Sequence, residues 1–399
     1  MTQPALAFDP TGTAATERAF PSRRADPSAA PSERRTYLSE VFGLAGFHKV
    51  GLVEDRSTGR AWCLQSDEGA SLGGTNLAPA PLFHWVAGLH ADVASRLVAA
   101  AREQGLRLQQ VEVSVTQGFA SQGSFARGEA VAHVHALDWQ VDARGPDGGR
   151  APDLLAAALR SSPAVAAMTT ALPGRFALRT NGRDTDLADV LPAWPDAEVE
   201  DPLRRHGAMP VPTGEEAARV LRLVPGDGLP EQARERIATH SSPDSAAEPV
   251  GFTIEGRGEV DLATGLVTVS TGLPEMTTDR WEITSDPTGQ LAPDPLALVA
   301  LGAAFCYHTQ LARYAKVRRL ELRNSSLAQL TTYEPAGITA ASAGVAHPIL
   351  TTMFLNGAES EEATRSLLGV AARTCYVHRA MGQVVEVGQG PSHEEGGSR

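Results

Sequence analysis

Cysteine is scarce in this chain of 399 residues, which contains three: Cys63, Cys306 and Cys375. Three thiols cannot form the disulfide framework of a small secreted protein, so each is either a core residue or a reactive group. The N-terminus also lacks a basic segment followed by an apolar one. We therefore expect no secretory signal and a cytoplasmic protein.

Positive charge and long apolar runs are scarce as well. The 35 Lys and Arg residues are outnumbered by 47 Asp and Glu residues, which gives a net charge of −12. The longest apolar run in a helical context extends from Pro295 to Tyr307 and is shorter than the roughly 20 residues that cross a bilayer. Neither nucleic acid nor a membrane is expected as a partner, because both require basic or long apolar surfaces.

Four pairs of short blocks recur along the chain in the same order. The pairs are residues 77–82 with 291–296, 131–133 with 345–347, 154–168 with 367–381, and 55–59 with 261–265. The first three pairs keep nearly the same offset along the chain, and the members of the last pair are slightly closer together. Collinear blocks at nearly constant spacing predict a tandem duplication.

The duplication divides the chain into five segments. Residues 35–189 and 250–389 are the two predicted repeats, and residues 190–249 form a Pro-rich connector. Within the connector, Thr213 and Glu216 form a capping box that predicts a helix. Residues 1–34 and 390–399 lack hydrophobic periodicity and are expected to be disordered.

The second repeat has a readable order of elements. We predict a hairpin around residues 263–265, a buried helix from Pro295 to about Arg318, strands at 327–333 and 346–355, a helix at 361–373, a turn at Cys375 and a strand at 383–387. Strands followed by helices in this order indicate an α+β fold.

A buried helix that carries Pro295 and Cys306, followed by a second cysteine, Cys375, near the end of another helix, resembles the osmotically inducible protein C and organic hydroperoxide resistance (OsmC/Ohr) family. The resemblance covers the second repeat and extends to the first through the duplication. It implies two interlocked units with antiparallel sheets around buried central helices. Here that dimer would be an intramolecular pseudo-dimer, and the chain could act as a monomer.

The resemblance also implies catalytic roles. Cys306 would be the peroxidatic thiol, Cys375 the resolving thiol and Arg257 the cation that stabilises the thiolate. The chain departs from the family where a glutamate normally follows the proline, because Leu296 stands there. Asp294 is the nearest carboxylate. From the residues alone, the two cysteines can equally be apolar core residues, and Arg257 can be a solvated turn residue.

The first repeat lacks the cysteine pair. By the repeat spacing, Asp92 corresponds to Cys306 and Ser162 to Cys375. A carboxylate on an apolar helix requires a partner, because an unpaired buried charge is costly. The candidate partners are two arginines of the first hairpin and two histidines of a following strand, namely Arg56, Arg60, His133 and His135.

Two further features leave alternatives open. His133 and His135 share a strand face, and with His84, His90 and Asp92 they could form a metal site, although His84 and His90 do not share a helix face. We expect these histidines to line the cleft between the repeats, with no metal or other cofactor. Cys63 has no partner at the family spacing and is expected in the core.

Two functions therefore remain. The first is a thiol-dependent peroxidase that reduces organic hydroperoxides with the help of a dithiol reductant. The second is a repurposed member of the same fold that modifies or binds an apolar specialised metabolite between the repeats. Loss of the family glutamate and of one cysteine pair motivates the second function.

Overall fold

Two β-sheets with two long helices between them form the core of the protein, for which a computed structural model describes residues 19–23, 34–194, 199–205, 220–227, 250–337 and 343–390. One long helix packs on each sheet, and the two helices pack on each other. The α+β fold predicted from the sequence is confirmed.

The first half of the chain, up to residue 205, supplies eight strands and four helices among the described residues. They are β1 (Ala19–Arg23), β2 (Arg35–Gly43), β3 (Lys49–Asp55), β4 (Arg60–Ser66), α1 (Pro81–Glu103), β5 (Gln110–Gln122), β6 (Val131–Arg144), α2 (Ala151–Ser161), α3 (Pro163–Thr169), β7 (Arg175–Thr180), β8 (Arg183–Thr185) and α4 (Pro202–Arg205). Strand β1 lies in the segment predicted to be disordered and pairs with β4.

The remaining elements follow β9 (Leu221–Val224) of the connector. They are β10 (Val250–Val260), β11 (Val267–Gly272), β12 (Arg280–Ser285), α5 (Pro295–Arg318), β13 (Leu322–Glu334), β14 (Val345–Ala346), β15 (Leu350–Gly357), α6 (Glu361–Thr374), α7 (Tyr376–Met381) and β16 (Val387–Gln389). The predicted connector helix, residues 213–221, lies almost entirely outside the described residues; of its last two residues, Val220 is not helical and Leu221 begins β9.

Each sheet combines strands from both halves of the chain. Sheet A has the order β1-β4-β3-β2-β13-β15-β7-β8, with β14 also paired to β13, and sheet B has the order β16-β6-β5-β10-β11-β12-β9. Most strand pairs are antiparallel, as expected, but each sheet also contains one parallel pair: β7 runs parallel to β15, and β16 runs parallel to β6.

Helix α5 begins where local chemistry predicts. Pro295 stands at its first turn, and the carboxylate of Asp294 accepts hydrogen bonds from the N–H groups of Leu296 and Ala297. Every residue from Pro295 to Leu311 is buried, which confirms the buried first half. By length and composition α5 also passes as a membrane-spanning helix, but 94% of that apolar window is buried inside the protein.

Two glycines allow α1 and α5 to pack closely. A Cβ at Gly88 would lie 2.7 Å from the backbone N of Val299, and a Cβ at Gly302 would lie 2.7 Å from the backbone N of Trp85. Gly302 follows Gly88 at the offset of the repeats, and Val299 follows Trp85 at the same offset. The contact between the two helices is therefore approximately symmetric, since each helix places a glycine against the backbone of the other at corresponding positions.

One predicted block pair was wrong. The turn at residues 55–59 joins β3 to β4, whereas the turn at 261–265 joins β10 to β11. Strand β10 lies beside β5 as β2 lies beside β13, so β10 corresponds to β2 and not to β3. Both turns contain the spacing Asp-x-x-Thr-Gly, and in both the aspartate side chain accepts a hydrogen bond from a backbone N–H group of the turn. The shared spacing therefore reflects the same type of turn and does not show that the two turns are equivalent.

Candidate functional site

The thiols of Cys306 and Cys375 lie within hydrogen-bond distance of each other in the core. Cys306 is in the middle of α5 and Cys375 is the residue between α6 and α7. Cys375 is extended (φ −74°, ψ 112°), which ends one helix and starts the next. The sulfurs are closed off from solvent, since Cys306 is 2% exposed and Cys375 is 0% exposed.

The two thiols have opposite electrostatic environments. Burial raises the pKa of Cys306, but hydrogen bonds from the Cys375 thiol and from the backbone N–H groups of Val377 and Tyr376 outweigh burial and lower it. Burial raises the pKa of Cys375, and the negative charge of Cys306 raises it further. The arrangement favours a thiolate at Cys306 beside a protonated Cys375.

His378 contacts Cys375 as a neutral ring. Its Nδ1 lies 3.2 Å from Sγ of Cys375, and its Nε2 lies 3.4 Å from Oγ1 of Thr351. Burial lowers the pKa of His378 to about 3. The imidazole ring packs 4.9 Å from the ring of Tyr307, between centroids. His378 therefore orients Cys375 by hydrogen bonding and contributes no positive charge near neutral pH.

Two charged residues that the sequence reasoning missed face the same region of α5. Lys49 is the first residue of β3 and is 1% exposed, and Glu68 follows β4 and is 6% exposed. The carboxylate of Glu68 faces the hydroxyl of Thr309 of α5. A signal was available, since Lys49 is one of two lysines in the chain and stands at the start of an apolar strand.

Arg257 is not brought to the cysteine pair. Its neighbours Gly256 and Gly258 face α1, where added Cβ atoms would meet Val86 and His90. Because side chains alternate along a strand, Arg257 points to the outer face of sheet B, where it donates to Glu112 and its side chain is 69% exposed. That face carries an open groove lined mainly by acidic and hydroxyl side chains.

Asp294 and Leu296 do not replace the missing glutamate. Leu296 is buried, and Asp294 caps α5 while it accepts from the hydroxyl of Tyr37 at 2.7 Å and pairs with Arg35 at 3.3 Å. Asp294 and Cys306 are about 18 Å apart along the helix axis, from the usual rise per residue. The carboxylate of Asp294 therefore caps α5 and binds Tyr37 and Arg35 of β2, and it is too far from Cys306 to act on it.

In the first half, Asp92 and Ser162 occupy an arrangement like that of the cysteines. The hydroxyl of Ser162 donates to Asp92 at 2.5 Å, and Ser162 is the extended residue (φ −74°, ψ 117°) between α2 and α3. Arg96 pairs with Asp92 at 3.0 Å from one turn along α1. Asp92 thus has partners, but they are Ser162 and Arg96, not those expected from the hairpin or the following strand.

The residues proposed as partners lie elsewhere. Arg56 is exposed, and Arg60 donates to the carbonyl of Thr288 in the loop before α5. His133 is half-buried and His135 is exposed on β6. Strand β6 belongs to sheet B, where it pairs along its length with β5.

The buried histidines of α1 are bonded to backbone carbonyls. Nε2 of His84 lies 3.0 Å from the carbonyl of Gln65, and Nε2 of His90 lies 2.7 Å from that of Val113. Burial lowers the pKa of His84 to about 3 and of His90 to about 4. Within the described ranges no three His, Cys, Asp or Glu side chains are grouped to hold a metal.

Cys63 packs in an apolar cluster away from the other cysteines. It lies with Phe42, Val50 and Leu52 on the outer face of sheet A and is 1% exposed. Burial raises the pKa of its thiol. This environment keeps Cys63 protonated and unreactive.

Comparison with known proteins gives one partial match. No protein-family model matches the chain, and no curated protein matches it either. A solved structure, that of an OsmC-like hydroperoxide resistance protein from Jannaschia sp. CCS1, is similar over 30% of this chain and 78% of its own, with 20% sequence identity and a TM-score of 0.22. The similarity is thus confined to a part of the structure.

Proposed function

We propose that the protein is a thiol-dependent peroxidase that reduces organic hydroperoxides through Cys306 and Cys375. The observation that carries this proposal is the hydrogen-bonded pair of buried thiols, in which backbone N–H groups of α7 donate to Cys306. A thiolate is the nucleophile that attacks a peroxide, and a neighbouring protonated thiol is the group that resolves the product. The pair supplies both.

The chemistry balances in two steps. The Cys306 thiolate attacks the outer oxygen of the hydroperoxide, the O–O bond breaks, and the alkoxide takes a proton to leave as an alcohol while Cys306 becomes a sulfenic acid. The Cys375 thiol then attacks the sulfenic sulfur, which forms the disulfide and releases water. A dithiol reductant returns both cysteines to thiols by exchange.

An aromatic cluster beside Cys306 supports an apolar substrate. Tyr376, whose N–H donates to Cys306, packs against Phe119 and Phe252 with centroid distances of 5.4 and 5.3 Å. Phe252 is only half-buried. An alkyl or aryl group that bound to this cluster would lie near the sulfur, whereas hydrogen peroxide has no group to bind there.

We also infer that residues 35–189 and 250–389 arose by duplication and form an internal pseudo-dimer. Sheets A and B have matching strand orders with the two halves exchanged, and α1 and α5 cross at a pair of glycines that the repeat spacing relates. Asp92 with Ser162 repeats the contact of Cys306 with Cys375. The chain would then need no second copy, and a monomer in sedimentation velocity is expected.

The test is the consumption of tert-butyl hydroperoxide by the reduced protein with dithiothreitol, compared with hydrogen peroxide. We expect the organic peroxide to be preferred. Cys306→Ser should abolish turnover, and Cys375→Ser should leave a sulfenic acid that dimedone traps. Cys63→Ala is the matched control and should keep full activity, because Cys63 packs on the other side of sheet A.

Two results would reject the peroxidase. One is a folded protein that consumes neither peroxide, and the other is a Cys306→Ser protein that keeps its turnover. In that case the aromatic cluster of Phe119, Phe252 and Tyr376 favours the second function, in which the protein binds or modifies an apolar metabolite. Binding of an apolar fluorescent dye that Phe252→Ala abolishes would then support it.

A further inference from the structure

Lys49 lies against the segment of α5 that carries Cys306. Gly51 is two positions further along β3 on the same face, and a Cβ there would lie 2.6 to 2.7 Å from Leu301 and Phe305. Gly43 is the strand partner of Lys49, and a Cβ at Gly43 would lie 3.1 Å from His308. Lys49 is thus held over the turn of α5 from Phe305 to His308.

The ammonium group of Lys49 is buried and has no hydrogen-bond partner within the part of the chain that the structure describes. Burial lowers the pKa of Lys49, while the negative charges of Glu68, Asp67 and Cys306 raise it. Burial of a cation without a hydrogen-bond partner costs free energy of folding. Ionisable groups in such perturbed environments are concentrated at functional sites. Cys306 is the reactive anion among its neighbours.

We propose that Lys49, contributed by the first half of the chain, supplies the positive charge that stabilises the Cys306 thiolate. The inference rests on the proposed function, since it assigns the cation for the attacking thiolate. It gives Lys49 the role that the family resemblance implied for Arg257. The site then needs both halves of the chain, with the thiols from one and the cation from the other.

Other groups around Cys306 do not supply this charge. His84 of α1, His308 of α5 and His378 of α7 each have a pKa lowered to about 3 by burial and are neutral near pH 7. Tyr307 and Tyr376 have raised pKa values and stay protonated. Among the described residues, the other charged groups that interact with Lys49 or Glu68 are Asp67 and Arg313. The guanidinium of Arg313, two turns beyond Cys306 on α5, donates to Gln310 and lies over the ring of Phe125.

The test is a pH titration of the Cys306 thiolate by its ultraviolet absorbance in the reduced full chain. Subtracting the titration of the matching Cys306→Ser protein assigns the change to Cys306. Lys49→Met removes the charge and keeps an apolar chain of similar length, and we expect about tenfold less thiolate at a pH below its pKa. Lys49→Arg should restore most of the thiolate. Lys316→Met, at the other lysine and on the exposed end of α5, is the control and should match the wild type.

The proposal is overturned if folded Lys49→Met titrates like the wild type, or if Lys49→Arg behaves like Lys49→Met. The titration requires no peroxide, so its result is separate from that of the turnover assay. A protein that consumes no hydroperoxide but loses thiolate in Lys49→Met would reject the peroxidase and keep the role of Lys49. The reverse pair of results would keep the peroxidase and reject this role.

Discussion

At the scale of residues, the two thiols differ because of the groups that face each of them. Cys306 accepts hydrogen bonds from Cys375 and two backbone N–H groups, which lower its pKa. Cys375 is buried beside Cys306, and both burial and the charge of Cys306 raise the pKa of Cys375. In the first half, a similar pair of polar side chains occurs without sulfur. Asp92 accepts a hydrogen bond from Ser162 and forms an ion pair with Arg96. A carboxylate and a hydroxyl cannot perform thiol chemistry, so the proposed redox function is confined to one site.

Glu68→Gln should lower the pKa of Cys306. The negative charge of Glu68 raises that pKa, so its removal should increase the fraction of thiolate, opposite in sign to the effect of Lys49→Met. The thiolate titration measures both variants under the same conditions. Glu259→Gln, near the end of β10 on the outer face of sheet B, is the matched control. A rise in the pKa of Cys306 in Glu68→Gln would contradict the prediction.

At the scale of elements, the contact between α1 and α5 sets the positions of both sites. The helices approach at Gly88 and Gly302, where a side chain would meet backbone atoms of the other helix. Sequence pattern predicted α5 with the bounds that the structure has, because a proline in the first turn is a local signal of a helix start. The short helix α7 was read as a turn, because so few residues carry too little periodicity.

Gly302→Ala should lower the free energy of unfolding by about 1 to 3 kcal/mol through overpacking of the helix contact. Helix propensity alone would make the alanine variant more stable by about 1 kcal/mol. A decrease in the free energy of unfolding would therefore show that the close contact between α1 and α5 dominates. Urea denaturation measures the change. Gly369→Ala in α6 is the matched control and should cost less, since its Cβ would meet a methyl group of Val190 and no backbone. Equal stability of Gly302→Ala and wild type would contradict the close crossing.

At the scale of the whole molecule, many polar groups are enclosed between and around the sheets. Burial lowers the pKa values of four buried histidines to between about 3 and about 4, namely His84, His90, His308 and His378. In the unfolded chain each returns to about 6.5. Folding therefore excludes protons that the unfolded chain binds.

The protein should consequently lose stability as the pH falls from about 6.5 toward 4. Between the folded and unfolded pKa values the unfolded state binds more protons, so the free energy of unfolding decreases by up to about 1.4 kcal/mol per pH unit for each histidine. Urea midpoints at about pH 7.5 and 5.5 measure the loss. His378→Gln should reduce the slope, and His135→Gln, at an exposed ring, should not. Identical midpoints at both pH values would contradict the prediction.

The sequence by itself determined the local parts of this protein and their repetition. The nearly constant offset between the predicted repeats matched Asp92 with Cys306 and Ser162 with Cys375, and the first-turn proline Pro295 marked the start of α5. Only the tertiary structure decided that β2 pairs with β13, and so that Lys49, not Arg257, faces a cysteine in the other half of the chain. Periodicity reports which face of an element is buried, whereas pairing between distant strands depends on how whole sheets assemble.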